Sequence, residues 1–248
     1  MENFKDLINI NKKIGLKTEI ITSSIQAKSL SKNLDYKIFN STKGNFRNYI
    51  KKTCKIENTL FFSISARYIF KKKSINNFFK SNLVNFHASR LPFDGGGAQF
   101  SWNIMREDRI CSHVIHVINE GIDKGSVLIN QKSLYPFSCK TPYDFKKVSD
   151  ERFPYLYEKF INKLYKGDKF KLTSQPDGIG RYNPRLNTLD NGWVDWNLNS
   201  HDLINFINAF DNPYAGASTF INNKKFGRLF IKKAQLHAGD SSNHPFMQ

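Results

Sequence analysis

The sequence predicts an α/β fold with a mostly parallel central sheet, followed by a small C-terminal α+β region. Three observations carry this. Thr59-Leu60-Phe61-Phe62-Ser63-Ile64-Ser65 is a near-continuous apolar run, which suits a strand covered on both faces of a parallel sheet. Strand-like and helix-like segments alternate up to the middle of the chain, as right-handed βαβ units require. From Thr173 to Asn191 the composition turns to Pro, Gly, Asp and Asn, which marks the edge of a domain. The expected division is a main domain over 1–175 and a linker with a small helix and hairpin over 176–248.

Taken in order, residues 3–14 place Phe4, Leu7, Ile8 and Ile10 near one side of a helix. Thr18–Thr22 is a short strand, with Ser23-Ser24 placed to cap the next helix. Tyr36–Phe39 is a second strand and Asn45–Thr53 a helix, before the apolar run of Thr59–Ser65. A helical turn around Ile69–Phe79 leads into the strand Leu83–His87. Ala98–Met105 reads as a helix and Ile110–Asn119 as a strand, and the turn Glu120–Gly125 leads on to a strand at Val127–Ile129. Residues 142–165 give a long amphipathic helix with Phe145, Val148, Leu156, Phe160 and Leu164 inward and Pro154 kinking or dividing it. Beyond the linker, His201–Phe210 is a helix capped by Ser200, with Leu203, Ile207 and Phe210 inward. Strands at Ala217–Ile221 and Leu229–Leu236 close the chain.

Composition narrows the function. The hydrophobic content of 40% and charged content of 24% are those of a globular protein. No apolar run is long enough to span a bilayer, and Met1–Asp6 is too polar for a secretory signal. The three cysteines, Cys54, Cys111 and Cys139, fit no metal spacing and read as reduced thiols of a cytoplasmic protein. The net charge of +17 suits nucleic acid, an anionic surface or small polyanions such as nucleotides and polyglutamylated folates. Lysine runs such as Lys71-Lys72-Lys73 and Lys224-Lys225 are short and dispersed, so drift toward Lys and Asn is the plainer source of that charge. Nucleic acid and membrane are not the expected partners.

The chemistry centres on Leu83–Pro92 and the following Asp94-Gly95-Gly96-Gly97. On a strand, residues i and i+2 share a face, so Asn85 and His87 stand side by side at its carboxyl end. Ligands bind outside such strand ends in open α/β sheets. Imidazole moves protons near neutral pH, and the amide is an uncharged donor. Taken singly, an Asn at a strand end also caps turns, and a His is also an ordinary core residue. His113 and His116 lie at i and i+3 and face opposite ways on a strand, so no metal site is expected. Gly95–Gly97 and Gly178-Ile179-Gly180 lack the spacing of a dinucleotide-binding loop.

Asn85-Phe86-His87-Ala88-Ser89-Arg90-Leu91-Pro92, the glycine turn and Glu120-Gly121-Ile122-Asp123-Lys124-Gly125 resemble the signature of the folate-dependent formyltransferases. Arg181–Arg185, Val194-Asp195-Trp196 and Ala209–Ala217 resemble the region after the catalytic domain in the methionyl-tRNA and sugar branches. Asp94-Gly95-Gly96-Gly97-Ala98-Gln99-Phe100-Ser101-Trp102 looks more like the sugar-nucleotide N-formyltransferases. The resemblance implies a Rossmann-like formyltransferase domain. It also implies transfer of a formyl group from N10-formyltetrahydrofolate to a nucleotide-linked amino deoxysugar, such as a dTDP-4-amino sugar, for surface polysaccharide, without a metal. Tetrahydrofolate is then the product. A methionyl-tRNA formyltransferase and an inactive folate-binding homologue are the alternatives. Two departures stand: nothing before Phe4 supplies the family's first apolar strand, and Asn243–Gln248 resembles a hairpin without its returning strand.

Carried over residue by residue, the family's catalytic Asn, His and Asp fall on Asn85, His87 and Asp123. The folate loops fall on Ser65, Ala66, Arg67, Tyr68 and Ile69, and on Glu120, Gly121 and Ile122. Arg90, Gly96, Gly97, Gln99 and Trp102 are expected on the sugar side. Arg181, Tyr182, Asn183 and Arg185 offer two cations, an aromatic face and an amide to pyrophosphate and base. The alternative for these last four is a basic surface linker. Phe220, Phe226 and Phe230 leave room for a homodimer.

Overall fold

The computed structural model describes residues 3–28, 30, 33–40, 44–66, 68–222 and 227–236. They divide into two compact units, each discontinuous in sequence: residues 1–95, 112–132 and 149–181, and residues 96–111, 133–148 and 182–248. The architecture is mixed α/β, and the expectation of that class is met.

In the first unit, α1 (Asn3–Lys13) buries Leu7 and Ile10, one turn apart, and ends on Lys12 and Lys13, whose charges suit the carbonyl end of the helix dipole. The strand expected at Thr18–Thr22 is shortened to β1 (Ile21–Thr22), which pairs in parallel with β2 (Lys37–Ile38). Between them α2 (Ser24–Ala27) is capped by Ser23, whose Oγ accepts from the Gln26 N–H at 3.3 Å. Helix α3 (Asn45–Thr53) buries Phe46 and Ile50 at the i, i+4 spacing that brings two side chains to one face.

The central sheet has the order β3 (Phe61–Ile64), β4 (Leu83–His87), β6 (Ile110–Val117), β7 (Val127–Leu134). Strand β5 (Asp94–Gly96) lies outside it. Strands β3 and β4 run parallel, joined through α4 (Lys72–Ser74) and one π turn, Ile75–Phe79, that buries Ile75, Phe78 and Phe79. Strands β4 and β6 run antiparallel. The apolar run of β3 is covered only in part: Ser63 is its buried residue, because β3 is the edge of this sheet.

Helix α6 (Pro142–Tyr165) supplies most of the main core. Phe153, Leu156, Tyr157, Phe160 and Ile161 pack with Val84, Ile115, Leu7 and Ile10. Fully burying such a side chain contributes about 1.5–3 kcal/mol. The helix runs undivided through Pro154, so of the two outcomes expected there, a kink or a division, the division does not occur. The buried Phe153, Leu156 and Tyr157 flank the proline and hold the turn that lacks one N–H donor. Leu164, expected inward, is 42% exposed near the last turn.

The second unit contains α5 (Gln99–Met105), α7 (Thr188–Asn191), α8 (Ser200–Ala209) and an antiparallel hairpin, β9 (Ala217–Phe220) with β10 (Arg228–Ile231). Its core gathers Ile104, Cys111, Tyr135, Cys139, Phe145, Ile207, Phe210 and Ala217. Ser101 Oγ of α5 donates to the Ala209 carbonyl at 2.7 Å, satisfying one of the acceptors that every helix end leaves open. The cap of α8 is Asn199 rather than Ser200. Asn199 is extended, and its side-chain Oδ1 accepts from the Asp202 N–H at 3.0 Å, so Ser200 becomes the first helical residue. At the end of the expected main domain Thr173 pairs with Val127, and the stretch expected as a linker carries a strand of its own, β8 (Arg181–Asn183). Among the described residues, no helix is long and apolar enough to cross a membrane. The C-terminal Asn243–Gln248, Phe226 and Lys224-Lys225 lie outside the described residues.

Candidate active site

Strand register builds the site. In the antiparallel ladder Asn85 sits directly opposite His116, and His87 opposite Val114. Asn85, His87 and His116 therefore share one face of the sheet, whereas His113 turns to the other. There His113 packs against the Phe86 ring at 5.4 Å and bonds Ser149 Oγ at 2.8 Å, a core role.

The polar groups on the shared face order one another. His116 Nδ1 lies 2.9 Å from the Val117 carbonyl, which can only accept, so Nδ1 carries the proton and Nε2 holds a lone pair. The amide nitrogen of Asn85 is 3.2 Å from that Nε2 and donates to it. This fixes which way the Asn85 amide faces.

Asp123 comes from the turn between β6 and β7 and has a φ of +56°. Its Oδ2 lies 3.5 Å from His87 Nε2, and its Oδ1 lies 3.8 Å from His116 Nε2. The two imidazoles stand edge to face at 6.3 Å. His87 Nε2 is buried and has no hydrogen-bond partner among the described residues. Burial lowers the pKa of His87, opposed by the Asp123 carboxylate. Burial, and then the adjacent His87, lowers His116 to about 4. Both rings are neutral at pH 7 as a result. The three residues carried over from the motifs thus meet in one place, together with a fourth, His116.

The loops expected at the folate are built in the following way. Ser65 has a φ of +51°, and its carbonyl accepts from Gln26 Nε2 at 2.9 Å. Ala66 is exposed, Arg67 lies outside the described residues, the Tyr68 ring abuts Phe70 at 5.4 Å, and Ile69 is exposed. On the second loop, Gly121 N–H donates to Asn119 Oδ1 at 3.1 Å, and Ile122 is exposed. Glu120 pairs with Lys72 at 2.7 Å, and Lys72 follows the first loop by three residues.

Arg90 and Arg181 converge on Asp94, which is 1% exposed. Arg90 Nε and Nη2 lie 3.1 and 3.0 Å from Oδ2, and Arg181 Nε lies 2.6 Å from Oδ1. The two cations neutralise a carboxylate that would otherwise be costly to bury. In the second unit, Gly97 N–H donates to the Asn183 carbonyl at 2.8 Å, and a Cβ on Gly96 would come within 2.2 Å of that oxygen. Asn183 is fully buried and bonds Gln99 and Arg106, both at 2.9 Å. Trp102 Nε1 donates to the Pro184 carbonyl at 3.0 Å. These polar groups serve the unit's own structure, while Tyr182 and Arg185 stay exposed.

The structure brings to the site two residues that no sequence motif marks. By spacing alone, His116 reads only as a metal ligand to be rejected. Its place on the Asn85 face follows from strand periodicity once the β4–β6 register is known. Gln175 is the last residue of the expected main domain, at the start of the Pro-, Gly-, Asp- and Asn-rich stretch. Its Nε2 reaches the carbonyls of Asp123 and Gly125 at 2.8 and 2.5 Å, and no local pattern in the sequence points to it. Among the described residues, no group of three His, Cys, Asp or Glu side chains is arranged to hold a metal ion.

Residues 188–246 match the model of the formyl transferase C-terminal domain. The methionyl-tRNA formyltransferase of Thermodesulfovibrio yellowstonii is 26% identical over 79% of this chain and 60% of its own length. The chain spans less than two thirds of the length of several curated relatives it matches, 32% in one case. Among solved structures, a 4-N formyltransferase from Francisella tularensis superposes with a TM-score of 0.72 at 19% identity, covering 95% of this chain and 93% of that one. A sugar N-formyltransferase from a Shewanella species gives 0.71 at 17% identity, covering 96% and 94%. The match over residues 188–246, the sequence similarity to a methionyl-tRNA formyltransferase and the shared fold make this chain similar to the formyltransferases, the family that its Asn85, His87 and Asp123 motifs resemble.

Proposed function

We propose that this protein transfers a formyl group from N10-formyltetrahydrofolate to the primary amine of a nucleotide-linked amino sugar. The observation that carries the reading is the buried, unpartnered Nε2 of His87, with the Asp123 carboxylate 3.5 Å away. A neutral imidazole kept dry beside a carboxylate is equipped to take a proton and hold it as charge develops.

The amine attacks as the free base. Its lone pair forms the new C–N bond while the carbonyl pair moves onto the formyl oxygen. The second N–H of Asn85, the first being given to His116, donates to that oxyanion. His87 takes the excess proton from nitrogen, and Asp123 stabilises the imidazolium so formed. Collapse breaks the C–N10 bond, N10 receives the proton, and the products are a formamide and tetrahydrofolate. Ser65–Ile69 and Glu120–Ile122 are assigned to the pterin, largely through backbone groups. Arg90 and Arg181, whose charges exceed that of Asp94 by one, are assigned to the nucleotide.

The sugar acceptor is supported by the Asp94–Trp102 motif and by similarity in fold and length to the Francisella and Shewanella enzymes. The second reading, a methionyl-tRNA formyltransferase, is favoured by sequence similarity to that enzyme and by the net charge of +17. The test is an assay with formyltetrahydrofolate against dTDP-amino sugars and against charged initiator tRNA, with His87→Ala in parallel. Transfer to a sugar by the wild type alone supports the proposal. Formylation of tRNA with no sugar accepted reverses the two readings, and folate binding without transfer to either leaves a binding protein.

A further inference from the structure

We infer that Gln175 is a positioning residue for the Asp123 carboxylate, acting through the turn that carries it; the catalytic part of this inference rests on the formyl-transfer reading. Gln175 Nε2 lies 2.8 Å from the Asp123 carbonyl and 2.5 Å from the Gly125 carbonyl. Carbonyls only accept, so the amide orientation is forced and both of its N–H groups are used. The price is its own oxygen, Oε1, which is buried without a partner among the described residues. An unsatisfied buried acceptor persists only where something else holds it in place.

Here the turn itself needs holding. Asp123 adopts a φ of +56°, which aspartate tolerates but does not prefer. On one side Gly125 is pressed against β6, where a Cβ would come within 1.7 Å of the Val117 carbonyl oxygen. On the other, Thr173 and Val127 exchange backbone bonds of 2.8 and 3.0 Å, which delivers Gln175 two residues later. The turn is thus gripped from both sides, with its carboxylate oxygens 3.5 Å from His87 Nε2 and 3.8 Å from His116 Nε2. A displacement of about 1 Å at such a site costs on the order of 100-fold in rate.

The test uses Gln175→Met, which keeps the bulk and removes both donors. The titratable groups facing His87 are Asp123 and His116. The Asp123 charge raises the His87 pKa, so a carboxylate that drifts away lets it fall. By histidine NMR titration, His87 in Gln175→Met should titrate lower than in wild type, in the direction set by Asp123→Asn. In the formyl-transfer assay kcat should fall about 10- to 100-fold, with the KM of the formyl donor unchanged. A melting temperature that drops while His87 titrates as in wild type would assign Gln175 to stability alone and overturn the inference. If Gln175→Met does not fold, Gln175→Asn, one methylene short of both carbonyls, is measured in the same way, and the same two outcomes support or overturn the inference. The NMR reading needs no turnover, so it stands even if the wild type transfers no formyl group, which is how the two failures are told apart.

Discussion

Acidification to about pH 5 should cost the first unit about 4 kcal/mol through two histidines. His113 and His116 are 1% and 2% exposed, and burial holds each at about 4 against an ordinary 6.5. The charge of Arg152 adds to the effect on His113, and His87 adds to that on His116. Proton counting sets the sign. A base with a depressed folded pKa binds fewer protons folded than unfolded. The stability it contributes is intact above the unfolded pKa of 6.5 and is lost as pH falls toward 4. At about pH 5 the unfolded ring has been favoured over ~1.5 pH units, which at about 1.36 kcal/mol per unit is ~2 kcal/mol per histidine. Whole-domain stabilities are about 5–15 kcal/mol, so the loss is a large share. With an m-value of about 3 kcal/mol/M, the urea midpoint should fall by about 1.3 M between about pH 7.5 and about pH 5. His113→Gln keeps a polar group near Ser149 but cannot titrate, and it should remove the His113 share of the effect. An equal midpoint at both pH values, or an unchanged pH effect in His113→Gln, would refute the reasoning.

Three further outcomes follow from the site. His87→Ala should lower kcat for formyl transfer by about 100-fold or more while far-UV circular dichroism is preserved. His116→Phe keeps the bulk but removes the acceptor for the Asn85 amide, so kcat should fall about tenfold with donor KM unchanged, a split that steady-state kinetics would show. Gly125→Ala places a methyl within 1.7 Å of the Val117 carbonyl oxygen, and it should lower urea stability by more than ~3 kcal/mol. A mild phenotype there would mean that the β6–β7 turn yields more readily than its packing implies.

The candidate trio Asn85, His87 and Asp123 is legible in the sequence because its logic is local. Period-2 alternation alone sets Asn85 beside His87, and the order of motifs points to Asp123. The helices at Asn45–Thr53, Gln99–Met105 and Pro142–Tyr165 are legible for the same reason, their apolar spacing being strong. What cannot be read is set by long-range pairing. His116 joins the site only because β6 lies antiparallel to β4 in one register. Gln175 joins it only because Thr173 finds Val127 across a large separation in sequence. Pro154 does not divide its helix because tertiary packing on both sides of it outweighs one missing backbone donor. Ser200 misleads because Asn199, one residue earlier, offers an equally good cap in an extended conformation.

The face-to-face placement of Asn85 and His116 across two neighbouring strands makes the chemistry all-or-none. Sliding either strand by a single residue would send its side chain to the opposite surface of the sheet, so no partly working intermediate alignment exists. The connecting segment from Ala88 to Arg109 is held by other contacts: β5 pairs with β8, and Gly97 N–H donates to the Asn183 carbonyl at 2.8 Å.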